Sequence, residues 1–282
     1  MEERMAKMYQ RSYLGRSMDP VAYPYHRAIL ILSVIAGVIG GALRLFTGSD
    51  LFTAAIGGFY AGAAVFIAWV LARELDPDYE ASAFVGAVLA FFAWAFLGNP
   101  AIIPLALMIF CLRMVNRTVG PPLVLGDSLT IFVTVLLAAF LAGGWVYGVI
   151  AAFAFQLDVM LSESNRRHAL FVTLSLFVAF IAIMISGFAP LVAPSVPYLI
   201  VVIVAGISGL LLIIMIRQIN VLTDFSKQAM NLTRIRAGIF LAIFAVVAVL
   251  WYGDSGVVAL APLSAALVGE PLYRILMVFR KD

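Results

Sequence analysis

Cysteine and histidine are nearly absent from this chain. Cys111 stands alone within an apolar run, which excludes a disulfide framework and a cysteine-based metal site. His26 and His168 are the only histidines and neither lies inside an apolar run, so haem held by a histidine pair across a bundle is excluded too. Charge is scarce as well: 12% of residues are charged against 64% hydrophobic, and the mean hydropathy is +1.09. A soluble domain does not carry that balance, so the chain reads as an integral membrane protein. It has no glycine-rich phosphate loop, no nucleophile elbow and no metal-spaced histidines. The pI near 9.1 reads as basic loops beside anionic lipid, with no nucleic-acid partner implied.

What the chain has in abundance is long apolar runs. A bilayer core of about 30 Å takes roughly 20 apolar residues as a helix. The runs predict about ten helices, near 28–46, 52–72, 81–98, 101–115, 128–143, 145–160, 169–188, 197–216, 237–252 and 256–273. They are apolar on both faces, unlike the alternating short segments of a membrane β-barrel. The expected fold is therefore an all-α, polytopic transmembrane bundle forming a single domain over 1–282. The fourth run is short. Pro262, Gly269, Glu270 and Pro271 interrupt the tenth; if that run lies in the interface, the count drops to nine. No small-residue cleavage site follows the first run, which reads as a retained signal anchor.

Basic residues then orient the bundle. Of the 18 Lys and Arg, all but Arg44 fall in alternate gaps between runs, in the head and in the tail. The positive-inside bias puts those segments in the cytosol, with both termini, and the chain in the plasma (inner) membrane. Residues 1–27 form the expected cytosolic head. Residues 217–236 form a cytosolic loop, either an amphipathic helix on the inner leaflet or a plain linker. Arg44, near the outer end of the first helix, is expected to reach toward Asp50. Gly58 and Gly62 have the spacing that lets helix backbones approach, here within one chain. Five helices plus five would suit an inverted repeat, but Leu125-Gly126-Asp127 and Val268-Gly269-Glu270 are only a faint echo of one another.

Polar chemistry gathers at a few inner helix ends. Arg73-Glu74-Leu75-Asp76-Pro77-Asp78-Tyr79-Glu80 closes the second run, and Asp76, Asp78 and Glu80 there could hold Mg²⁺, which favours carboxylate oxygens with water and phosphate. The alternative is a solvated turn that Pro77 ends. Arg113 and Arg117 close the fourth run at i, i+4. They would share one face if the helix persists, ready for a phosphate or carboxylate, or serve as interfacial anchors. Asp127 with Ser128 reads as a cap for the fifth helix. Asp158 sits in an otherwise apolar stretch of the sixth, where an ionisable group calls for a cavity or partner. His168 is expected in solvent. Glu270 and Arg274, also i, i+4, are expected to neutralise each other.

Segments of this kind at the inner ends of helices two, four and six resemble those of the UbiA-type intramembrane prenyltransferase superfamily. The corresponding stretches here are Arg-Glu-Leu-Asp-Pro-Asp-Tyr-Glu, Leu-Arg-Met-Val-Asn-Arg-Thr and Gln-Leu-Asp-Val-Met-Leu-Ser-Glu, over roughly 60–170. This chain lacks the Asn that begins the family's first motif and most of the carboxylates of its second. The resemblance implies a transferase acting on a lipid or isoprenoid diphosphate. Asp76, Asp78 and Asp158 would carry Mg²⁺, and Arg113 and Arg117 would stabilise the departing diphosphate. A ten-helix secondary transporter, similar in length and helix number to drug/metabolite-type carriers, and a non-catalytic subunit of a membrane complex are the rival readings.

Overall fold

The computed structural model describes residues 12–16, 18–142, 144–188 and 191–279. Arg4, Lys7, Arg11, Arg280 and Lys281, which contribute to the expected orientation, lie outside the described residues. The all-helical expectation holds: among the described residues there are only two isolated β-bridges and no strand. The elements are α1 (Pro24–Phe46), α2 (Leu51–Leu75), α3 (Ser82–Leu97), α4 (Ile102–Asn116), α5 (Leu125–Phe140), α6 (Val146–Met160), α7 (His168–Ser186), α8 (Val196–Met215), α9 (Leu232–Ala248), the short α10 (Gly253–Ala259) and α11 (Ala261–Phe279). A 3₁₀ turn, Val249–Trp251, joins α9 to α10.

Among the described residues six helical stretches are long and apolar enough to cross a membrane: α1, α2, α7, α8, α11, and α9 with its 3₁₀ extension. Helices α3 to α6 have 15 or 16 residues, or about 22–24 Å of helix. Helix α4 is buried along most of its length and packs against α2, α5, α6 and α9, so it is the inner post of the bundle. The tenth apolar run, 256–273, is divided at Leu260 between α10 and α11, and α11 continues through Pro271.

Local chemistry fixes the ends. Asp50 accepts the Phe52 and Thr53 amides and so caps α2, and Asn231 caps α9 through Thr233 and Arg234. Asp50 therefore turns inward to its own helix, and Arg44 lies instead over the Trp94 ring at 5.3 Å, which corrects the expected Arg44–Asp50 contact. Helices α1 and α2 meet backbone to backbone. A Cβ at Gly58 would come within 2.5 Å of the Gly37 carbonyl oxygen, so the glycine pair packs within the chain.

The two ends of the bundle differ in character. One end gathers Trp145, Phe188 and Trp251 in mutual ring contact, with Tyr252 receiving the Val146 amide at 3.2 Å. The other end holds the ion pairs. Of the 217–236 loop, read as either an amphipathic helix or a plain linker, residues 217–231 cross that charged end as an irregular strap and the rest begins α9. Asp224 and Phe225 amides bond to Thr118 and Val119 carbonyls, and Leu222 bridges to Ala229. Acceptors outside the segment, Asp78, Thr118 and Val119, take the amides of Asn220, Val221, Asp224 and Phe225, so a helix there would have to give those bonds up.

Candidate functional site

Three clusters of charge lie at the charged end. The first is centred on Asp158, buried near the last turn of α6. One oxygen accepts Arg234 at 2.8 Å and Arg117 at 3.2 Å, and the other faces His168 Nδ1 at 2.8 Å. Arg234 also donates to the carbonyls of Val115 and Ser162, and Arg117 to the carboxylate and carbonyl of Glu163. His168 is fully buried, its far nitrogen 2.9 Å from the Ser128 hydroxyl, so the expectation of a solvated histidine is overturned. Two guanidiniums, one buried carboxylate and one surface carboxylate make this a closed, charge-balanced knot that ties α4, α6, α7 and α9 together.

The second cluster shapes a cavity. Glu74, 1% exposed at the end of α2, accepts Arg113 at 3.1 Å and Arg16 at 3.5 Å. Arg16 also grips Asp224 of the strap through two bonds of 2.6 and 2.9 Å. Burial works against the Arg16 charge, but Glu74 and then Asp224 more than restore it, and its pKa lies above the usual arginine value. Arg73 pairs with Glu80 at 2.7 Å and lies 5.5 Å from the centre of the Trp69 ring. Beneath these groups a cavity of about 400 Å³ runs between α1, α2 and α4, walled by Phe66, Trp69, Val70, Ile109 and Phe110. From Arg73 to Phe66 is seven residues of helix, so the apolar wall reaches about 10 Å below the cation. A wider concavity of about 940 Å³ between α1 and α2 is lined almost wholly by apolar and small residues.

The third cluster lies where α2, α3 and α11 meet. Asp76 accepts Arg274 at 2.6 Å, and Arg274 stacks on Tyr79 with its carbon 4.5 Å from the ring centre. The expected Glu270–Arg274 pair is thus replaced by Asp76–Arg274, and neither Glu270 oxygen has a hydrogen-bond partner.

The sequence-derived site residues are divided among these clusters. Helix α4 stops at Asn116, and Arg117 adopts a left-handed backbone with φ of 53°. Arg113 and Arg117 therefore diverge, one to Glu74 and the other to Asp158, instead of sharing a face. Asp76, Asp78 and Glu80 turn three ways: to Arg274, to the amides of Asn220 and Val221, and to Arg73. Among the described residues no group of three His, Cys, Asp or Glu side chains is placed to hold a metal ion. As arranged, these carboxylates do not fit Mg²⁺, because guanidiniums and amides already occupy them. Asp127, expected with Ser128 as the cap of α5, lies instead inside its first turn, where it accepts the amide of Val124, the N-cap residue, at 3.3 Å and also anchors Ser12 and Tyr13. Arg16 and Arg234 were missed by sequence reasoning. Each is one arginine among many at the inner ends, and only the fold brings them to Glu74 and Asp158.

The class that fold and sites define is an all-helical bundle with six stretches able to cross a membrane and one charged end. Comparison with known proteins returns no matching family model, no matching curated protein and no matching solved structure.

Proposed function

We propose that this is an integral membrane protein that recognises a lipid or isoprenoid phosphate in the cavity beneath Arg16, Arg73 and Arg113, as the ligand-binding half of a membrane-embedded transferase. The observation that carries the reading is the juxtaposition of three guanidiniums with an apolar shaft opening at the same end of the bundle. A phosphate suits guanidinium forks, and a hydrocarbon tail suits the aromatic wall. Glu74 is shared by Arg16 and Arg113, and Glu80 and Asp224 also line the cavity, so a phosphate there competes with three carboxylates for the three guanidiniums. Arg73 is the cation with the loosest hold: its partner Glu80 is 41% exposed, and pairs of that kind contribute little. The positive-inside bias supports a cytosolic aspect for this end, with both chain termini on that side. The Mg²⁺-dependent part of the prenyltransferase reading is not carried forward, because its carboxylates are committed elsewhere.

Purified protein in nanodiscs, titrated with farnesyl phosphate and followed by tryptophan fluorescence, tests the proposal. Arg73→Gln should weaken binding by roughly tenfold, worth about 1.4 kcal/mol. Glu80→Gln should tighten it by removing the competing carboxylate. Farnesol, which lacks the phosphate, should bind far more weakly. Equal binding of phosphate and alcohol, or no binding by the unaltered protein, would sink the reading.

A further inference from the structure

Glu270 is the one carboxylate at the charged end with neither oxygen bonded among the described residues, and it is 0% exposed. It is held there by backbone packing: α11 rests on α3 through Gly269 and Gly86, where a Cβ on Gly269 would come within 2.4 Å of the Gly86 nitrogen. The Ser82 hydroxyl, on the facing end of α3, is directed to the Tyr79 carbonyl. Pro271 has no N–H to return to the Leu267 carbonyl, so the adjacent turn of α11 is also short of a donor.

The surrounding charges are few. From the end of α2 come Asp76, held by Arg274, and Arg73, held by Glu80. Helices α3 and α8 carry no charged residue. On α9, Arg234 is committed to Asp158 and Arg236 to the Ile216 carbonyl. Two buried carboxyls, Asp76 and Glu270, thus share one guanidinium, and one Asp76 oxygen is itself without a partner. An unpaired carboxylate buried at this depth is costly, and a neutral carboxylic acid costs far less.

We propose that Asp76, Glu270 and Arg274 form a proton-binding site that holds one proton over the two carboxyls, carried in this structure by Glu270. The exchange balances: when Asp76 takes the proton, Glu270 becomes the carboxylate and receives Arg274, one helical turn away. When Glu270 takes it back, Arg274 returns to Asp76. Two pairings of one arginine thus make a proton-set switch at the junction of α2, α3 and α11, beside Arg73 of the ligand cavity. The inference goes beyond the phosphate reading and does not depend on it.

Infrared difference spectroscopy of the purified protein in nanodiscs reads the acid directly. At neutral pH the unaltered protein should show a buried carboxylic-acid C=O band that is lost in Glu270→Gln. Asp76→Asn should lose it as well, because Arg274 is then free to pair with an ionised Glu270. Glu270→Gln mimics the neutral acid and should melt within a few degrees of the unaltered protein. A sharp drop in its melting temperature would mean that an ionised, paired Glu270 had been removed, and would overturn the proposal. So would a band that survives Glu270→Gln or Asp76→Asn, the absence of any such band, or a carboxylate signal that responds to Na⁺ in place of H⁺.

Discussion

Arg113 and Arg117 are four residues apart, yet Arg113 serves Glu74 on α2 at 3.1 Å while Arg117 serves Asp158 on α6 at 3.2 Å. The left-handed Arg117 backbone is what divides them. One helix end therefore fastens two separate knots, and only the Arg113 knot borders the cavity beneath Arg73.

Removing the hub of the closed knot should be severe. Asp158→Ala leaves Arg117 and Arg234 buried without their anion, and breaking such a pair costs about 3–5 kcal/mol. Glu163→Gln removes the outer partner, which is 74% exposed, and should stay within about 0.5 kcal/mol. Thermal unfolding of both variants in the same detergent separates the two outcomes. Similar melting temperatures would show that Asp158 is not the hub.

The helical class was legible because apolar runs of this length have few other uses, and each polar gap fell near a turn. The pairings were not legible. Sequence spacing favoured Glu270–Arg274 and a shared Arg113–Arg117 face, but both inferences assumed that partners lie on one helix. Tertiary contacts overrode them: Asp76 reaches Arg274 across 198 positions, and Arg16 reaches Asp224 across 208. His168 looked like a loop residue because it is the first residue of α7. Its burial arises from Asp158 and Ser128 on other helices, which no local pattern reports. The strap was open to two readings, an amphipathic helix or a plain linker, and the bonds from its Asn220, Val221, Asp224 and Phe225 amides to Asp78, Thr118 and Val119 are ones that no local pattern reports.

The contact between α1 and α2 depends on missing side chains. Gly58→Ala places a Cβ 2.5 Å from the Gly37 oxygen, and since both sides are backbone the helices must move apart. A loss of about 1–3 kcal/mol is expected. Gly206→Ala on α8 meets nothing within 4 Å and should raise stability by about 0.4–1 kcal/mol. Paired melting curves should therefore shift in opposite directions.

Asp76 gives a pH dependence of definite sign. Burial pushes its carboxyl above the usual aspartate range, against the pull of Arg274. A raised aspartate binds more protons folded than unfolded, so stability falls as pH rises from the ordinary value through the folded one. Melting temperature measured across the acid range should show this decline from Asp76, opposed by any carboxylates whose values are lowered. The decline should be reduced in Asp76→Asn, and a slope identical in the two proteins would remove Asp76 as its source.

Two carboxylates help to hold the strap to the rest of the chain, beside its backbone bonds to Thr118 and Val119. Asp78 accepts the Asn220 amide at 2.9 Å and the Val221 amide at 3.0 Å, and Asp224 holds Arg16 at 2.6 Å. Asp78→Ala releases two strap amides without leaving a buried charge behind, because Asp78 has no ion pair among the described residues and is only partly buried. Local opening then becomes easier while global unfolding changes little. Hydrogen exchange should rise in residues 219–225 with the melting temperature nearly unchanged. Val221 and Asp224 also line the cavity proposed to take a phosphate, so on that proposal farnesyl phosphate should bind more weakly to Asp78→Ala even though Asp78 does not touch the cavity. Unchanged exchange with weakened binding would instead place the effect of Asp78 in the field around the arginines.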